Sequence, residues 1–201
     1  DPRKRGVDGR YDVAYVVLVS GAGSNLEALI EADVGKISSV VADGECPALA
    51  KAEAVGISTR VIPYRGGRAS FTREILDVAG DAEALVLAGF MRILGKEAIA
   101  RFPNRIVNIH PSLLPSFPGL DAVAQALAAG VKVTGATVHF VDELLDHGPI
   151  IAQKAVPVLP GDNACSLHKR IQIEEHVFYP RVVEALLAGR LSVEGRTVSW
   201  S

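Results

Sequence analysis

The sequence predicts an α/β fold: a single-domain, doubly wound and mostly parallel sheet, with a Rossmann-like N-terminal half and antiparallel strands toward the C-terminus. From Tyr15 to Gly130, short apolar runs that are typical of buried strands alternate with stretches of helical periodicity. Such alternation is typical of a parallel sheet whose strands are joined by right-handed helical crossovers. After Gly130, two longer runs follow each other without a helix between them, which favours antiparallel pairing.

Each predicted strand is a short run rich in Val, Ile and Leu that is bounded by turn residues. In chain order, the strands are expected at residues 15–20, 39–42, 57–62, 85–88, 105–109, 137–141 and 150–158. The tail after Leu191 is expected to add a terminal strand. Because α/β proteins bind ligands where connections leave the carboxyl ends of parallel strands, the loops at that edge are the candidate site.

Each predicted helix has apolar residues at helical spacing and a recognisable start or stop. The helices are expected at residues 24–32, 47–55, 68–79, 96–101, 121–129 and 163–188. Ser24 or Asn25 is predicted to cap the first helix, and Gly56 and Gly130 are predicted to end the second and the fifth. Pro180 is predicted to interrupt the last helix, because proline lacks the amide hydrogen that a helix interior needs.

The composition of the chain excludes several classes of protein. Its 201 residues are 49% hydrophobic and 22% charged, which excludes a disordered or fibrous chain. The formal charge of −2, from 21 Lys plus Arg against 23 Asp plus Glu, provides no basic field for nucleic acid. No apolar run reaches the roughly 18–20 residues of a membrane span, and Cys46 and Cys165 lack disulfide or zinc spacing. We therefore expect a cytoplasmic protein acting on small molecules, with residues 1–12 as a flexible leader and residues 13–201 as one domain.

The segment SGAGSNL, residues 20–26, joins the first predicted strand to the first helix. Glycines let the backbone approach an anion closely, and the free amides of a helix start stabilise a phosphate. The segment therefore predicts either a phosphate site, in which Ser24 and Asn25 suit one terminal phosphate, or a tight structural turn. Asp43 lies where a ribose-binding acid of a dinucleotide site would stand, but such a site needs glycine in place of Leu26.

The segment NIHPSLLPSFPG, residues 108–119, follows the fifth predicted strand. Asn108 and His110 are alternate residues of a strand end, so their side chains point to the same side. An amide donor can stabilise a developing oxyanion, and a protonated imidazole can add a second donor or move a proton. Three prolines in the loop favour one rigid shape. Together with Asn108 two positions before it, this favours a role for His110 in acyl transfer over a purely structural role.

The segment VHFVDELLDHGPII, residues 138–151, leaves a strand through an acidic loop and re-enters a strand. A carboxylate beside His110 would favour its charged form and orient the ring, and Asp146 is the best placed candidate. A solvated acidic loop is the alternative. We expect no metal, because no second cluster would complete a divalent-cation site and the five histidines lack zinc-ligand spacing.

Two polar residues of the last helix, Gln172 and Glu175, are three positions apart and therefore share one face. They could receive ribose hydroxyls or simply form a solvent-exposed face. No GxSxG motif occurs, and neither cysteine neighbours a base in the sequence, so covalent catalysis is not expected.

Five segments of the chain together resemble those of one known family: SGAGSN, AGFMRIL, NIHPSLLP, GATVHFV and the loop of Asp146. From about Tyr15 to Leu191, the chain resembles the glycinamide ribonucleotide formyltransferases, a group of folate-dependent formyltransferases. NIHPSLLP with a downstream aspartate is typical of several folate-dependent formyl enzymes. AGFMRIL with Gln-x-x-Glu-His on the last helix indicates the purine branch more specifically.

The resemblance implies direct transfer of a formyl group from 10-formyltetrahydrofolate, a co-substrate, to the amine of glycinamide ribonucleotide in de novo purine biosynthesis. It implies a catalytic trio of Asn108, His110 and Asp146. The ribonucleotide contacts that it implies are Gly23, Ser24, Asn25, Gln172 and Glu175. The folate contacts that it implies are Arg68, Met91, Arg92, Ile93, Leu94, Asn108, Asp142, Glu143, Leu144, Leu145 and Asp146.

Three rival functions remain open. A formyltetrahydrofolate hydrolase usually carries a His-His-Ser version of the loop, whereas Pro111 follows His110 here. A non-catalytic nucleotide-binding module would explain SGAGSN alone, and a nicotinamide-dependent oxidoreductase is disfavoured by Leu26. The chain also departs from the group with ADGE after the second strand and Asp121 in a stretch that is often basic, so the pocket rim is expected to differ. We expect a monomer or a homodimer.

Overall fold

The computed structural model describes residues 12–201, which form nine strands and six α-helices. The predicted leader, residues 1–12, lies outside the described residues except for Asp12. The strands are β1 Ala14–Val19, β2 Lys36–Ala42, β3 Thr59–Val61, β4 Ala84–Leu87, β5 Ile106–His110, β6 Val133–Phe140, β7 Ile150–Pro157, β8 Leu191–Glu194 and β9 Thr197–Trp200. The helices are α1 Ser24–Ala32, α2 Pro47–Glu53, α3 Arg68–Ala79, α4 Lys96–Arg101, α5 Ala122–Ala128 and α6 Ala164–Leu187.

The seven-stranded sheet has the order β3-β2-β1-β4-β5-β6-β7. Strands β1 to β5 pair in parallel, whereas β6 pairs antiparallel with both β5 and β7. The chain leaves the middle of the sheet at β1, builds one edge, and returns to β4. This switch leaves a crevice at the carboxyl ends of β1 and β4, where such sheets bind ligands. The predicted fold class is confirmed.

Helices cover both faces of the sheet, because the parallel strands are apolar on both sides. In β1, Tyr15, Val17 and Val19 pack into one core with α1, α2 and α6. The alternate residues Val16 and Leu18 pack into a second core with α3 and α4. This division follows from the period of two along a strand.

The first helix lacks the predicted cap. Gly23 occupies the N-cap position in a left-handed conformation, and no side chain caps the helix. A Cβ on Gly23 would lie 2.7 Å from the Ala48 Cβ. This close approach and the left-handed backbone conformation both require glycine at this position. The side chains of Ser24 and Asn25 contact α6 instead, and that tertiary contact is why neither serves as a cap.

The predicted interruption of the last helix at Pro180 is wrong, because α6 runs for 24 residues and includes this proline. Proline in a helix interior costs about 3 kcal/mol. Burial of the neighbouring Phe178, Tyr179, Val182 and Val183 offsets that cost, since each large apolar side chain stabilises by roughly 1.5–3 kcal/mol. The C-terminal tail also differs from the prediction, because β8 and β9 form a separate two-stranded sheet. Within residues 12–201, no helix combines the length and apolar character needed to cross a membrane.

The β6–β7 pair depends on a glycine at its centre, and we expect Gly135→Ala to destabilise the fold. A Cβ at Gly135 would overlap the Lys154 carbonyl group and lie 2.8 Å from a Leu113 methyl group. Overpacking of this kind costs about 1–3 kcal/mol, which corresponds to a fall in Tm of roughly 2–12 °C. Thermal unfolding measures this, with Gly44→Ala as the control, because no atom lies within 4 Å of a Cβ there. Equal Tm values for the two variants would contradict the packing argument.

Candidate active site

A cavity of about 720 Å³ opens at the carboxyl edge of the sheet. It is lined by the turn after β1, the segments after β4 and β5, the loop after β6, and one face of α6. Of the residues that the sequence predicted for the site, the cavity brings together all but Arg68 and Glu143. Both of these lie outside its lining, and Arg68 is the first residue of α3.

Asn108 lies in β5, two residues before the strand ends, directly opposite His139 of β6 in the antiparallel register. The Asn108 Nδ2 group donates to His139 Nε2 at 3.3 Å, and His139 Nδ1–H donates to the Phe140 carbonyl oxygen at 2.8 Å. Burial lowers the pKa of His139, although hydrogen bonding to the Phe140 carbonyl and the nearby Asp146 charge oppose this. A neutral His139 therefore accepts from Asn108 and orients its amide, leaving the second Nδ2 hydrogen available to the cavity.

His110, the last residue of β5, is held from two sides. Its Nε2–H donates to the carbonyl oxygen of Phe117 at 2.8 Å, and its Nδ1 lies 3.5 Å from Asp146 Oδ2. Both side chains are more than nine-tenths buried. Because Nε2 is engaged by Phe117, only Nδ1 is left to donate toward the cavity or to Asp146.

The predicted rigidity of the loop after β5 has a structural basis in its contacts with β6 and β7. Thr137 Oγ1–H donates to the Ser112 carbonyl at 2.7 Å and accepts from the Leu114 amide at 3.0 Å. Gln153 Nε2 donates to the Leu114 carbonyl at 2.8 Å. Side chains of β6 and β7 therefore fasten to the sheet the loop whose Phe117 carbonyl accepts from His110.

Asp146 lies in the loop after β6, and its carboxylate stands between two imidazoles. Its Oδ2 accepts from the Gly119 amide at 2.8 Å, and its Oδ1 lies 3.8 Å from His139 Nε2. That second distance would suit an ion pair with a charged His139, but burial keeps this ring neutral. Asp146 therefore pairs with His110, and its own backbone adopts a left-handed conformation with φ 48°.

The start of α1 meets the middle of α6 on another wall of the cavity. Gln172 Nε2 donates to Ser24 Oγ at 3.3 Å, and Asn25 Nδ2 donates to Glu175 Oε2 at 3.1 Å. Burial raises the pKa of Glu175, while the hydrogen bond from Asn25 acts to lower it. The buried Asn25 Oδ1 has no hydrogen-bond partner among residues 12–201, so polar groups on this wall remain available to a ligand.

The remaining wall is apolar and exposed. The large hydrophobic side chains that line the cavity and remain exposed are Met91, Ile93, Leu120, Leu144 and Leu145. Beside them, Arg92 Nε donates to Asp43 Oδ2 at 2.7 Å, and its guanidinium lies 5.0 Å from the centre of the Tyr64 ring. The carboxylate of Asp43 is therefore engaged by Arg92, which further disfavours a dinucleotide site. Leu94 also lines the cavity but is buried.

Two titratable residues that line the cavity, His139 and His168, were not predicted as site residues, and Asp121, which was predicted only to change the pocket rim, lines it as well. His139 could have been found from the expectation that its strand pairs antiparallel beside the strand of Asn108. His168 is one helical turn before Gln172, so the spacing that identified Gln172 and Glu175 also places it on that face. Partial burial lowers the pKa of His168. Among the described residues, no group of three His, Cys, Asp or Glu side chains could hold a metal ion.

Known proteins share both this sequence and this architecture. Residues 13–183 match the profile of a family described as formyl transferase. A phosphoribosylglycinamide formyltransferase of Mycobacterium tuberculosis is 44% identical over 192 residues, which cover 92% of this chain and 89% of that protein.

Solved structures extend the likeness to the fold. Glycinamide ribonucleotide transformylase 1 of Symbiobacterium toebii superposes with a TM-score of 0.91 at 40% identity, covering 94% of this chain and 93% of that one. A formyltetrahydrofolate deformylase of Pseudomonas syringae is less similar, with a TM-score of 0.85 and 29% identity, and this chain covers 66% of it. By sequence and by structure, the chain belongs to the formyl transferase family.

Proposed function

We propose that this protein transfers the formyl group of 10-formyltetrahydrofolate to the amine of glycinamide ribonucleotide in de novo purine biosynthesis. The observation that carries the proposal is the meeting of Asn108, His110 and Asp146 in a cavity that α1 and α6 also line. The transferases named above are 44% and 40% identical to this chain and nearly equal to it in length. The deformylase is a more distant relative, so hydrolysis is the weaker alternative.

Asn108 and His110 would stabilise the negative charge that develops on the formyl oxygen when the amine attacks the formyl carbon. Both residues line the cavity, and the donors would be the free Nδ2 hydrogen of Asn108 and an Nδ1–H of His110. Donors that are held in place before the reaction stabilise such charge without reorganising.

Asp146 would keep His110 charged and help to move a proton from the attacking amine to the leaving folate nitrogen, directly or through water. Its carboxylate is 3.5 Å from His110 Nδ1 and is anchored by the Gly119 amide. General acid–base catalysis by a positioned side chain contributes about 10²–10⁴-fold. The mechanism uses no metal ion and no covalent enzyme intermediate.

The two substrates are assigned to different walls. Gly23, Ser24, Asn25, Gln172 and Glu175 would hold the ribonucleotide, with backbone amides at the start of α1 facing its phosphate. When bound, 10-formyltetrahydrofolate supplies the formyl group, and the exposed apolar wall suits its ring system. The folate contacts proposed there are Met91, Arg92, Ile93, Leu94, Asp142, Leu144 and Leu145. Arg68 and Glu143, which lie outside the cavity lining, are retained only as contacts to a part of the folate that projects beyond it.

We also propose that the enzyme acts in the cytoplasm on small molecules alone, as a monomer or a homodimer. Both cysteines are free thiols, which suits a reducing compartment. The formal charge of −2 supports the absence of a nucleic-acid partner.

One assay tests the proposed reaction. The purified protein is incubated with 10-formyltetrahydrofolate, with and without glycinamide ribonucleotide, and release of tetrahydrofolate is followed. We expect release only when the ribonucleotide is present. Release without it would indicate a hydrolase, and no release under either condition would indicate a non-catalytic nucleotide-binding module.

We expect Glu175→Gln to weaken binding of the ribonucleotide. A charged acceptor contributes about 1.5–3 kcal/mol to a hydrogen bond, so loss of the charge should raise the KM for the ribonucleotide roughly tenfold or more. The KM for folate should stay unchanged. Steady-state kinetics measures both constants, with Glu174→Gln as the matched control, because Glu174 lies outside the cavity lining.

The same substitution should change how stability depends on pH. Because burial raises the pKa of Glu175, its contribution to the free energy of unfolding is fully present below the unfolded-state pKa. That contribution is lost as the pH rises through the folded-state pKa. The stability of Glu175→Gln relative to the wild type should therefore increase with pH from about pH 4 upward. A difference that stays constant across a pH series of urea unfolding curves would contradict this.

A further inference from the structure

The C-terminal hairpin of β8 and β9 packs beside β7 and reaches the loop that carries Asp146. Trp200 Nε1–H donates to the Ile151 carbonyl oxygen at 3.2 Å, which fastens β9 to the start of β7. At the turn of the hairpin, Arg196 Nη2 donates to the His147 carbonyl oxygen at 2.6 Å. An exposed arginine is thus directed at the backbone of the residue that follows Asp146.

The loop itself is closed by a side-chain pair at its base. His147 Nδ1–H donates to Asp142 Oδ2 at 2.8 Å, and Asp142 Oδ1 accepts from the Leu144 amide at 2.9 Å. On its inner side, a Cβ on Gly148 would overlap the Phe140 carbonyl group, so the chain passes directly against the end of β6. The turn is therefore held from inside by β6 and from outside by Arg196.

Asp146 needs such support, because its backbone has a conformation that residues other than glycine rarely adopt. Its φ of 48° is in the left-handed region, which is unfavourable for a residue with a Cβ. A strained residue of this kind keeps its geometry only when the surrounding structure determines it. The hydrogen bond from Arg196 acts one residue away from this strained position.

We propose that Arg196 is a positioning residue: by anchoring the His147 carbonyl, it holds the Asp146 carboxylate at its distance from His110. This inference rests on the proposed formyl transfer. Arg196 is exposed and lies outside the cavity lining, so it acts through the loop and not on the substrates. Since Gly119 still anchors the carboxylate, loss of Arg196 should weaken catalysis less than loss of the Asp146 charge.

The test is a double-mutant cycle of Arg196→Ala with Asp146→Asn in the full chain. We expect Arg196→Ala to lower kcat about tenfold, since small displacements of a catalytic group have large effects. The KM for the ribonucleotide should be unchanged, because its proposed contacts lie on α1 and α6. In the Asp146→Asn background, Arg196→Ala should lower kcat no further, since it acts through the missing charge.

Arg190→Ala serves as the matched control, because it removes an arginine near the same hairpin that pairs with Glu184 at 3.7 Å. It should keep the wild-type kcat and Tm. If Arg196→Ala unfolds, Arg196→Met replaces it in the cycle, because it keeps an apolar stem and removes the donor.

Two outcomes would overturn the inference. One is a kcat for the Arg196 variant within about twofold of the wild type, and the other is an equal fractional loss in the Asp146→Asn background. Both require an active wild-type enzyme. If the proposed function were wrong, the wild type would instead show no transfer, so the two failures are distinguishable.

Discussion

Replacing Asn108 with alanine is expected to lower turnover about 10²–10³-fold, the usual effect of removing an oxyanion donor. Its amide is oriented by a buried, neutral His139 at 3.3 Å, so the free Nδ2 hydrogen is directed before the substrate arrives. Because that hydrogen bond strengthens as charge develops on the formyl oxygen, the loss should appear in kcat. The KM for the ribonucleotide should change little.

Steady-state kinetics of the purified variant measures this effect. Asn104→Gly is the matched control, because Asn104 is exposed, lies outside the cavity lining and has a φ of 53° that glycine adopts readily. A variant at Asn108 that retained nearly wild-type kcat would show that this amide does not hold the oxyanion.

The substitution Asp146→Asn is expected to lower turnover about 10²–10⁴-fold, the range of general acid–base catalysis. Asparagine keeps the shape of the side chain and an oxygen that can accept from the Gly119 amide. It removes the charge that lies 3.5 Å from His110 Nδ1. The variant then lacks the carboxylate that would pair with His110 and accept the proton released by the attacking amine.

Asp146 and His110 should act as a unit, so their substitutions should not multiply. Asp146→Asn combined with His110→Ala is expected to be about as slow as the slower single variant. Asp81→Asn is the control for loss of an aspartate charge, since Asp81 is exposed and lies outside the cavity lining. Independent, multiplicative losses in kcat would contradict the proposal that Asp146 and His110 act together in moving the proton.

The elements that local sequence determines were predicted most closely. Helices α3 and α4 have the predicted bounds. Glycines flank α3 on both sides, and Gly95 precedes α4, so the local sequence marks these ends. The strand positions were confirmed within a few residues, although β3 is shorter than predicted and β6 begins earlier. Pairing with neighbouring strands decides where a ladder starts and stops, and a single strand does not carry that information.

Long-range contacts decided the features that the sequence did not predict correctly. Ser24 and Asn25 contact α6 rather than capping α1, and burial along α6 carries the helix through Pro180. In both cases, a partner about 150 residues away or a packed core outweighs the local preference. His139 emerged as the partner of Asn108 for the same reason, since antiparallel register places it there.

By itself, the sequence determined the fold class, the segments at the carboxyl edge of the sheet, and the membership of a formyl transferase family. These depend on periodicity and motif spacing, which are properties of neighbouring residues. Only the tertiary structure decided which nitrogen of His110 is left to donate, which histidine orients Asn108, and what holds the turn of Asp146. These are distances of about 3 Å between residues that are 7 to 49 positions apart in the chain, and they are set by strand order, burial and the C-terminal hairpin.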